Sequence, residues 1–269
     1  MSYLPDDNPS IFKVALDVTK PESVNSAFSA AKQHFGQNFH LDIVVNNAGY
    51  SLSGDTESAT EEETHQEIET LFFGTARVTT RAIEIMRQSK THRGGVIFNI
   101  SSLAGLCGFP GHAYYHAGKF AVEGWTESVA REMHPDWNSK STSIAAAFLL
   151  QVLTKPGSTV NFCIVEPSGV KTNFEGHSKA HTAAHTDYQD PDMPARKLER
   201  YVSQGIKLGM GMEPSALAEV LYTIASRGEQ VPLRLPLGAT AWKLAKSKFE
   251  TMLRELDSIK ETSVMGAAV

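Results

Sequence analysis

A tyrosine and a lysine four residues apart, Tyr115 and Lys119 in Tyr115-His116-Ala117-Gly118-Lys119, are the residue types best suited to acid–base work in this chain. At that spacing both side chains stand on one face of a helix, where the ammonium favours the phenolate and lowers the phenol's pKa. A tyrosine tuned in this way is a proton donor near neutral pH. Thirteen residues before Tyr115 lies Ser102, directly after the run Asn99-Ile100-Ser101. A hydroxyl leaving the carboxyl end of a strand is placed to hydrogen-bond the same substrate oxygen. A lone Tyr-x-x-x-Lys is ordinarily an exposed surface pair. Its combination with Ser102 and with the strand-ending turn Asn46-Asn47-Ala48-Gly49 is what points to a site.

The elements that must position these residues follow from periodicity. Short β-branched runs bounded by turn residues alternate with helical patterns, which predicts an α/β fold: a parallel sheet with helices on both faces. The strands are Phe12–Leu16, Leu41–Val45, Val96–Ile100 and Phe162–Val165, the last three near-continuously apolar as in strands buried on both faces. Val231–Leu235 carries Pro232 and Arg234 and belongs at a sheet edge. Ile68, Leu71, Phe72, Thr75, Val78, Ala82 and Ile85 follow helical spacing, as do Phe120, Trp125, Val129 and Met133; both helices should pack one face on the sheet. A C-terminal helix over 239–260 is amphipathic, with Trp242, Ala245, Phe249, Met252, Leu253 and Leu256 on its apolar side. The stretch 173–211, polar and without clear periodicity, reads as a substrate lid. Its His177, His181 and His185 would align on a helix, but a solvated lid explains them better than a metal site, which needs a fixed geometry and further ligands.

The 269 residues are 41% hydrophobic and 20% charged, a balance that fits a single folded domain and excludes a disordered chain. A net charge of -5 with no block of Lys and Arg argues against a nucleic-acid partner. Cys107 and Cys163 lack CxxC spacing and read as buried thiols of a reducing compartment. The N-terminal residues carry no secretory signal, and the longest apolar run, Ile144–Leu150, is too short for a membrane span. A cytoplasmic location is expected.

The chain resembles the short-chain dehydrogenase/reductase family over residues 11–236. The resemblance rests on Leu16-Asp17-Val18-Thr19, Asn46-Asn47-Ala48-Gly49, the Ser102, Tyr115 and Lys119 set, and Glu166-Pro167-Ser168-Gly169-Val170-Lys171-Thr172. It implies a Rossmann-type doubly wound sheet and hydride transfer between NADP or NAD and a small or medium apolar alcohol or ketone. Tyr115 would be the acid or base, Ser102 would orient the oxygen, and Lys119 would also hold the nicotinamide ribose. By the same resemblance Asp17 would contact the adenine, Asn46 the ribose region, and Val170 and Thr172 the carboxamide and phosphates. A homodimer or tetramer is implied by analogy alone.

Three departures from the family stand out. The family's glycine-rich turn, which would cradle the pyrophosphate, does not occur in the sequence, so we expect the first two strands of the family fold to be lacking. That absence sustains a rival reading, a non-catalytic remnant or incomplete gene product unable to bind the cofactor. Leu71 stands where the family usually has an asparagine that supports a relay water, and Gly118 where it often has serine. Residues 139–160 form an insert in a connection that is short in the family; codons for Ser139-Lys140-Ser141 can contain a splice donor, so a translated intron competes with a surface insertion.

Overall fold

The computed structural model describes residues 4–5, 7–89, 94–133, 160–227 and 231–265. In chain order the elements are helix α1 (Pro21–Phe35), strands β1 (Ile43–Asn46) and β2 (Ser51–Ser53), helix α2 (Glu61–Ile68) and helix α3 (Thr75–Gln88). Strand β3 (Gly95–Ile100), helix α4 (Ala113–Glu132), strand β4 (Val160–Pro167), helix α5 (Phe174–His177) and strand β5 (Lys179–His181) follow. The chain then forms helices α6 (Pro194–Lys207) and α7 (Pro214–Ser226), strand β6 (Arg234–Leu237), and helices α8 (Ala239–Ser258) and α9 (Lys260–Ser263).

The main sheet is parallel throughout, in the order β1-β3-β4-β6. Alternate residues of its strands feed two cores. On one face Val44, Ile97 and Phe162 pack with Val78, Ala82 and Met86 of α3 and Val129 of α4. On the other, Val96, Phe98, Cys163 and Val165 pack with Leu221 of α7 and Leu237 of β6. Phe98 and Ile97 are wholly buried, each contributing about 1.5–3 kcal/mol, and their opposite directions account for the continuous apolar reading of β3. This is the doubly wound, Rossmann-type arrangement, with the carboxyl ends of β1, β3 and β4 on one rim.

Local chemistry starts and stops the site-bearing helices. Thr60 and Glu63 form a reciprocal capping box at the start of α2: the Glu63 amide donates to the Thr60 hydroxyl at 3.2 Å and the Thr60 amide to the Glu63 carboxylate at 2.9 Å. Between α2 and α3 the helix widens into a π-type segment over Glu69–Gly74, an irregularity common at functional sites. Gly74 is required there, since a Cβ would lie 2.6 Å from Val18 Cγ2.

Several expectations are corrected. Phe12–Leu16 forms no strand: it has no ladder partner among the described residues, Val14 and Leu16 stay exposed, and Phe12 instead stacks on His34 with centroids 4.7 Å apart. The edge strand lies at Arg234–Leu237 rather than 231–235, still at the rim of the sheet, where Pro236 is tolerated. Phe120 points outward, and the sheet-facing side of α4 carries Val122, Thr126 and Val129. Helix α8 buries only Ala241 and Ala245, while Trp242, Phe249, Met252, Leu253 and Leu256 are exposed. Cys107 is half-buried, unlike Cys163. The insert lies outside the described residues, except that Val160 already opens β4 opposite Gly95. Among the described residues no helix is long and apolar enough to cross a membrane.

The stretch 173–211 is more ordered than its composition suggests. It holds the 14-residue α6, none of whose residues is buried, and β5, which pairs in parallel with β2 through Ser51, Leu52 and Ser53. His177, His181 and His185 fall in three different elements, a helix end, a strand and the cap of a 3-10 turn, so they do not align.

Candidate active site

Ser102 leaves β3 in extended conformation and its hydroxyl caps the next turn, accepting the Ala104 amide at 3.1 Å. Tyr115 and Lys119 project from the first two turns of α4 towards the same rim. The Ser102 hydroxyl is close enough to Tyr115 to favour its phenolate, and the Lys119 ammonium lies 5.6 Å from the Tyr115 ring centre. Lys119 donates to the Ile100 carbonyl at 2.8 Å, which ties the helix to the end of β3.

The electrostatics depart from the spacing argument. Burial pushes the Tyr115 phenol up to about 12; the Ser102 hydroxyl opposes that, and the Glu67 and Glu175 carboxylates add to it. Burial also lowers Lys119 to about 8, against the pull of Glu67 and Glu123. The phenol's shift is thus set by desolvation and by the carboxylates, and the lowering by Lys119 expected from the spacing is not among its causes. At neutral pH Tyr115 keeps its proton, the state a proton donor needs.

Neighbouring residues that spacing did not single out hold this geometry. His116 receives the Phe109 amide on Nε2 at 2.9 Å while Nδ1 meets the Ala104 carbonyl at 2.6 Å, so it is neutral and clasps the loop after Ser102; burial lowers its pKa accordingly. Phe174, the first residue of α5, packs on Tyr115 with ring centres 6.1 Å apart. Behind the rim, Arg234 reaches from β6 to Glu123 at 2.6 Å, Glu166 at 2.9 Å and Glu127 at 3.2 Å, and Glu123 accepts from Ser101 at 2.6 Å. A carboxylate-to-carboxylate spacing of four, Glu123 and Glu127, was the available signal, but its partner lies 107 residues away from Glu127.

The other proposed contacts spread along the rim. Asn46 turns inward: its amide donates to Asn99 at 2.7 Å and Thr79 at 2.8 Å, and Asn99 donates to Thr126 at 2.8 Å. Its side chain thus braces β1, β3, α3 and α4 rather than facing the rim. Asp17 is exposed, and its Oδ1 accepts from the Thr19 amide at 2.9 Å and hydroxyl at 2.7 Å, which holds its carboxyl below the usual carboxylate range. Val170 is half-buried and bridges to Met212, whereas Thr172 is exposed beyond the end of β4.

A separate cavity of about 170 Å³ opens beside the cluster, lined by Ser53, Asp55, His112, His181, Gln189 and Arg196 among others. It shares none of the Ser102, Tyr115 and Lys119 side chains. Its wall is pinned by the Arg196–Asp55 ion pair at 2.6 Å, with Asp55 almost wholly buried.

A family model described as short chain dehydrogenase matches residues 2–138. The oxidoreductase calM of Penicillium decumbens is 60% identical over 98% of this chain and 80% of its own length. An oxidoreductase of Schizosaccharomyces pombe is 33% identical over 94% of this chain and 75% of that protein. Among solved structures, a short-chain dehydrogenase from Streptomyces avermitilis is similar with a TM-score of 0.71 at 27% identity, covering 93% of this chain and 79% of that one.

Proposed function

The chain belongs to the short-chain dehydrogenase family, and on that premise we propose that it transfers a hydride between a nicotinamide cofactor, NADP or NAD, and a small-molecule alcohol or ketone. The observation that carries the reading is the gathering of Ser102, Tyr115 and the buried Lys119, tied to the Ile100 carbonyl, at the carboxyl rim of a parallel sheet.

The residues at the rim fit the nicotinamide half of such a cofactor. Gly49 lies beside the lysine with no room for a side chain: a Cβ there would stand 2.8 Å from Leu71 Cδ2 and 3.9 Å from Lys119 Nζ. Lys119 would hold the ribose hydroxyls, and Val170 and Thr172, at the end of β4, the carboxamide and phosphate side. Asp17, with Oδ2 open, would serve the adenine. When bound, the cofactor supplies or accepts the hydride. Ser102 fixes the substrate oxygen, and Tyr115, protonated at neutral pH, hands its proton to that oxygen in the reductive direction; in the oxidative direction its phenolate takes the proton back. Phe174 against the Tyr115 ring supplies an apolar wall that suits an apolar substrate, and the 173–211 lid would set its shape.

The test is turnover of a panel of ketones and alcohols by the purified chain with NADPH, NADH and their oxidised forms, with Tyr115→Phe as control. We expect turnover in the starting chain and a loss of roughly 100-fold or more in the variant. One observation favours the rival, a non-catalytic protein: no glycine-rich turn stands beside β1 among the described residues, and Ile43 and Val45 of that strand are exposed. Fluorescence titration separates the two, since the rival leaves NAD(P)H emission unchanged.

A further inference from the structure

A second titratable group beside the Tyr115–Lys119 pair has no part in the mechanism above. Glu67, on the last turn of α2, is 0% exposed. Its Oε1 accepts the Leu52 amide at 2.7 Å, whereas its Oε2, also buried, has no hydrogen-bond partner. A buried carboxyl oxygen left unpaired is costly, and such groups concentrate where chemistry is done.

Glu67 is within electrostatic reach of Lys119 and Tyr115 on α4 and of Tyr50 on the connection from β1 to β2, and Glu63 stands one turn back on its own helix. Burial raises Glu67 to about 7 and lowers Lys119 to about 8, so a proton passes between them with little change in free energy. Among the described residues no direct ion pair joins the two, so an exchange between them would need a bridging water. One turn further along, Leu71 offers Lys119 only methyl groups, packed over Gly49 and Gly118. Tyr50, half-buried, feels the charges of both Glu67 and the half-buried Glu63.

We propose that Glu67 is a relay residue acting through Lys119, its free Oε2 exchanging protons with the lysine and passing them by Tyr50 to solvent. The role rests on Tyr115 being the acid–base group. In reduction, Tyr115 gives its proton to the substrate oxygen, the Lys119 ammonium reprotonates the phenolate, the Glu67 carboxyl reprotonates the amine, and solvent reprotonates Glu67. Charge and protons balance, and no electrons move beyond the hydride.

Two measurements test this. In the full chain carrying 13C-labelled glutamate carboxyls, the resonance missing from Glu67→Gln should titrate near neutral pH and move upward by about a unit or more in Lys119→Met. A Glu67 resonance that titrates in the ordinary carboxylate range, or ignores Lys119→Met, overturns the relay. In turnover, Glu67→Gln, which keeps an acceptor for the Leu52 amide, should lose roughly 10- to 100-fold, change the pH profile near neutrality, and regain much of the loss when Leu71→Asn adds a polar group beside Lys119. An active starting chain whose Glu67→Gln variant keeps both turnover and pH profile overturns the relay alone. A chain inert with every nicotinamide and carbonyl pair overturns the hydride-transfer reading and the relay with it.

Discussion

Leu71 and Gly118 are packed as a pair: a Cβ on Gly118 would lie 2.8 Å from Leu71 Cδ1 and 3.1 Å from Leu71 Cβ. The leucine from the π-type segment fills the space that a side chain on α4 would need. The two departures from the family pattern at these positions therefore have one physical cause. In an ordinary helix, Gly118→Ala stabilises by about 1 kcal/mol. Here we expect overpacking of about 1–3 kcal/mol to oppose that gain, leaving the variant neutral or destabilised. Combined with Leu71→Ala, the same change should show its helical gain in a double-mutant cycle read by urea unfolding; simple additivity of the two would contradict the pairing.

The Arg234 cluster makes stability pH-dependent. Glu166 is fully buried with its carboxyl raised to about 7 from 4.5, so the folded state holds a proton that the unfolded state gives up, and stability falls as pH rises from 4.5 to 7. Arg234 offsets that loss by pairing with Glu166 and Glu123. Arg234→Met should cost about 3–5 kcal/mol at neutral pH, because the buried carboxylates are left unpaired. The deficit should shrink at pH 5, where Glu166 is protonated, and be largest at pH 8. Thermal unfolding at the two pH values checks the sign.

The lid is fastened by Arg196 to Asp55, whose Oδ2 also accepts the His185 amide at 3.2 Å. Arg196→Ala leaves Asp55 buried without its cation. We expect faster limited proteolysis within 173–211 and a raised KM with a smaller change in kcat; a variant as resistant as the starting chain would show that the pair does not hold the lid.

Removing residues 139–160 brings Asn138 to the position of Val160, the first rung of β4 against Gly95. Since the ladder continues through Asn161 to Val165, the deletion should fold, with an unfolding midpoint no lower than that of the full chain. Sequencing the mature transcript across the junction decides the intron question: a message that always retains the segment excludes it.

The residues gathered in the candidate site were partly legible in the sequence, and the forces that tune them were not. The positions of Ser102, Tyr115 and Lys119 followed from strand ends and a four-residue spacing, which are local properties. The rise of the Tyr115 pKa depends on burial under Phe174 and on carboxylates brought from α2 and α5, which no local pattern shows. Phe12–Leu16 has the composition of a strand, but a strand exists only with a partner, and partnership is a property of the whole fold. Conversely, α6 does carry apolar residues at helical spacing, Leu198 and Val202, but they are few, set among charged side chains and only half-buried, so they are easily passed over as part of a polar stretch. The inward role of Asn46 was hidden because Asn suits a turn and a buried network equally well.

The ladder between β2 and β5 has a kinetic consequence. Its three rungs join Ser51–Ser53, two residues after Gly49, to Lys179–His181 in the lid. Any swing of the lid that breaks those rungs also tugs the turn beside Lys119 and releases the Leu52 strand that Glu67 anchors. With the proposed lid and relay, substrate exchange and the proton chain would be geared together, so that the rate of product departure should respond to substitutions on either strand, far from any atom that reacts.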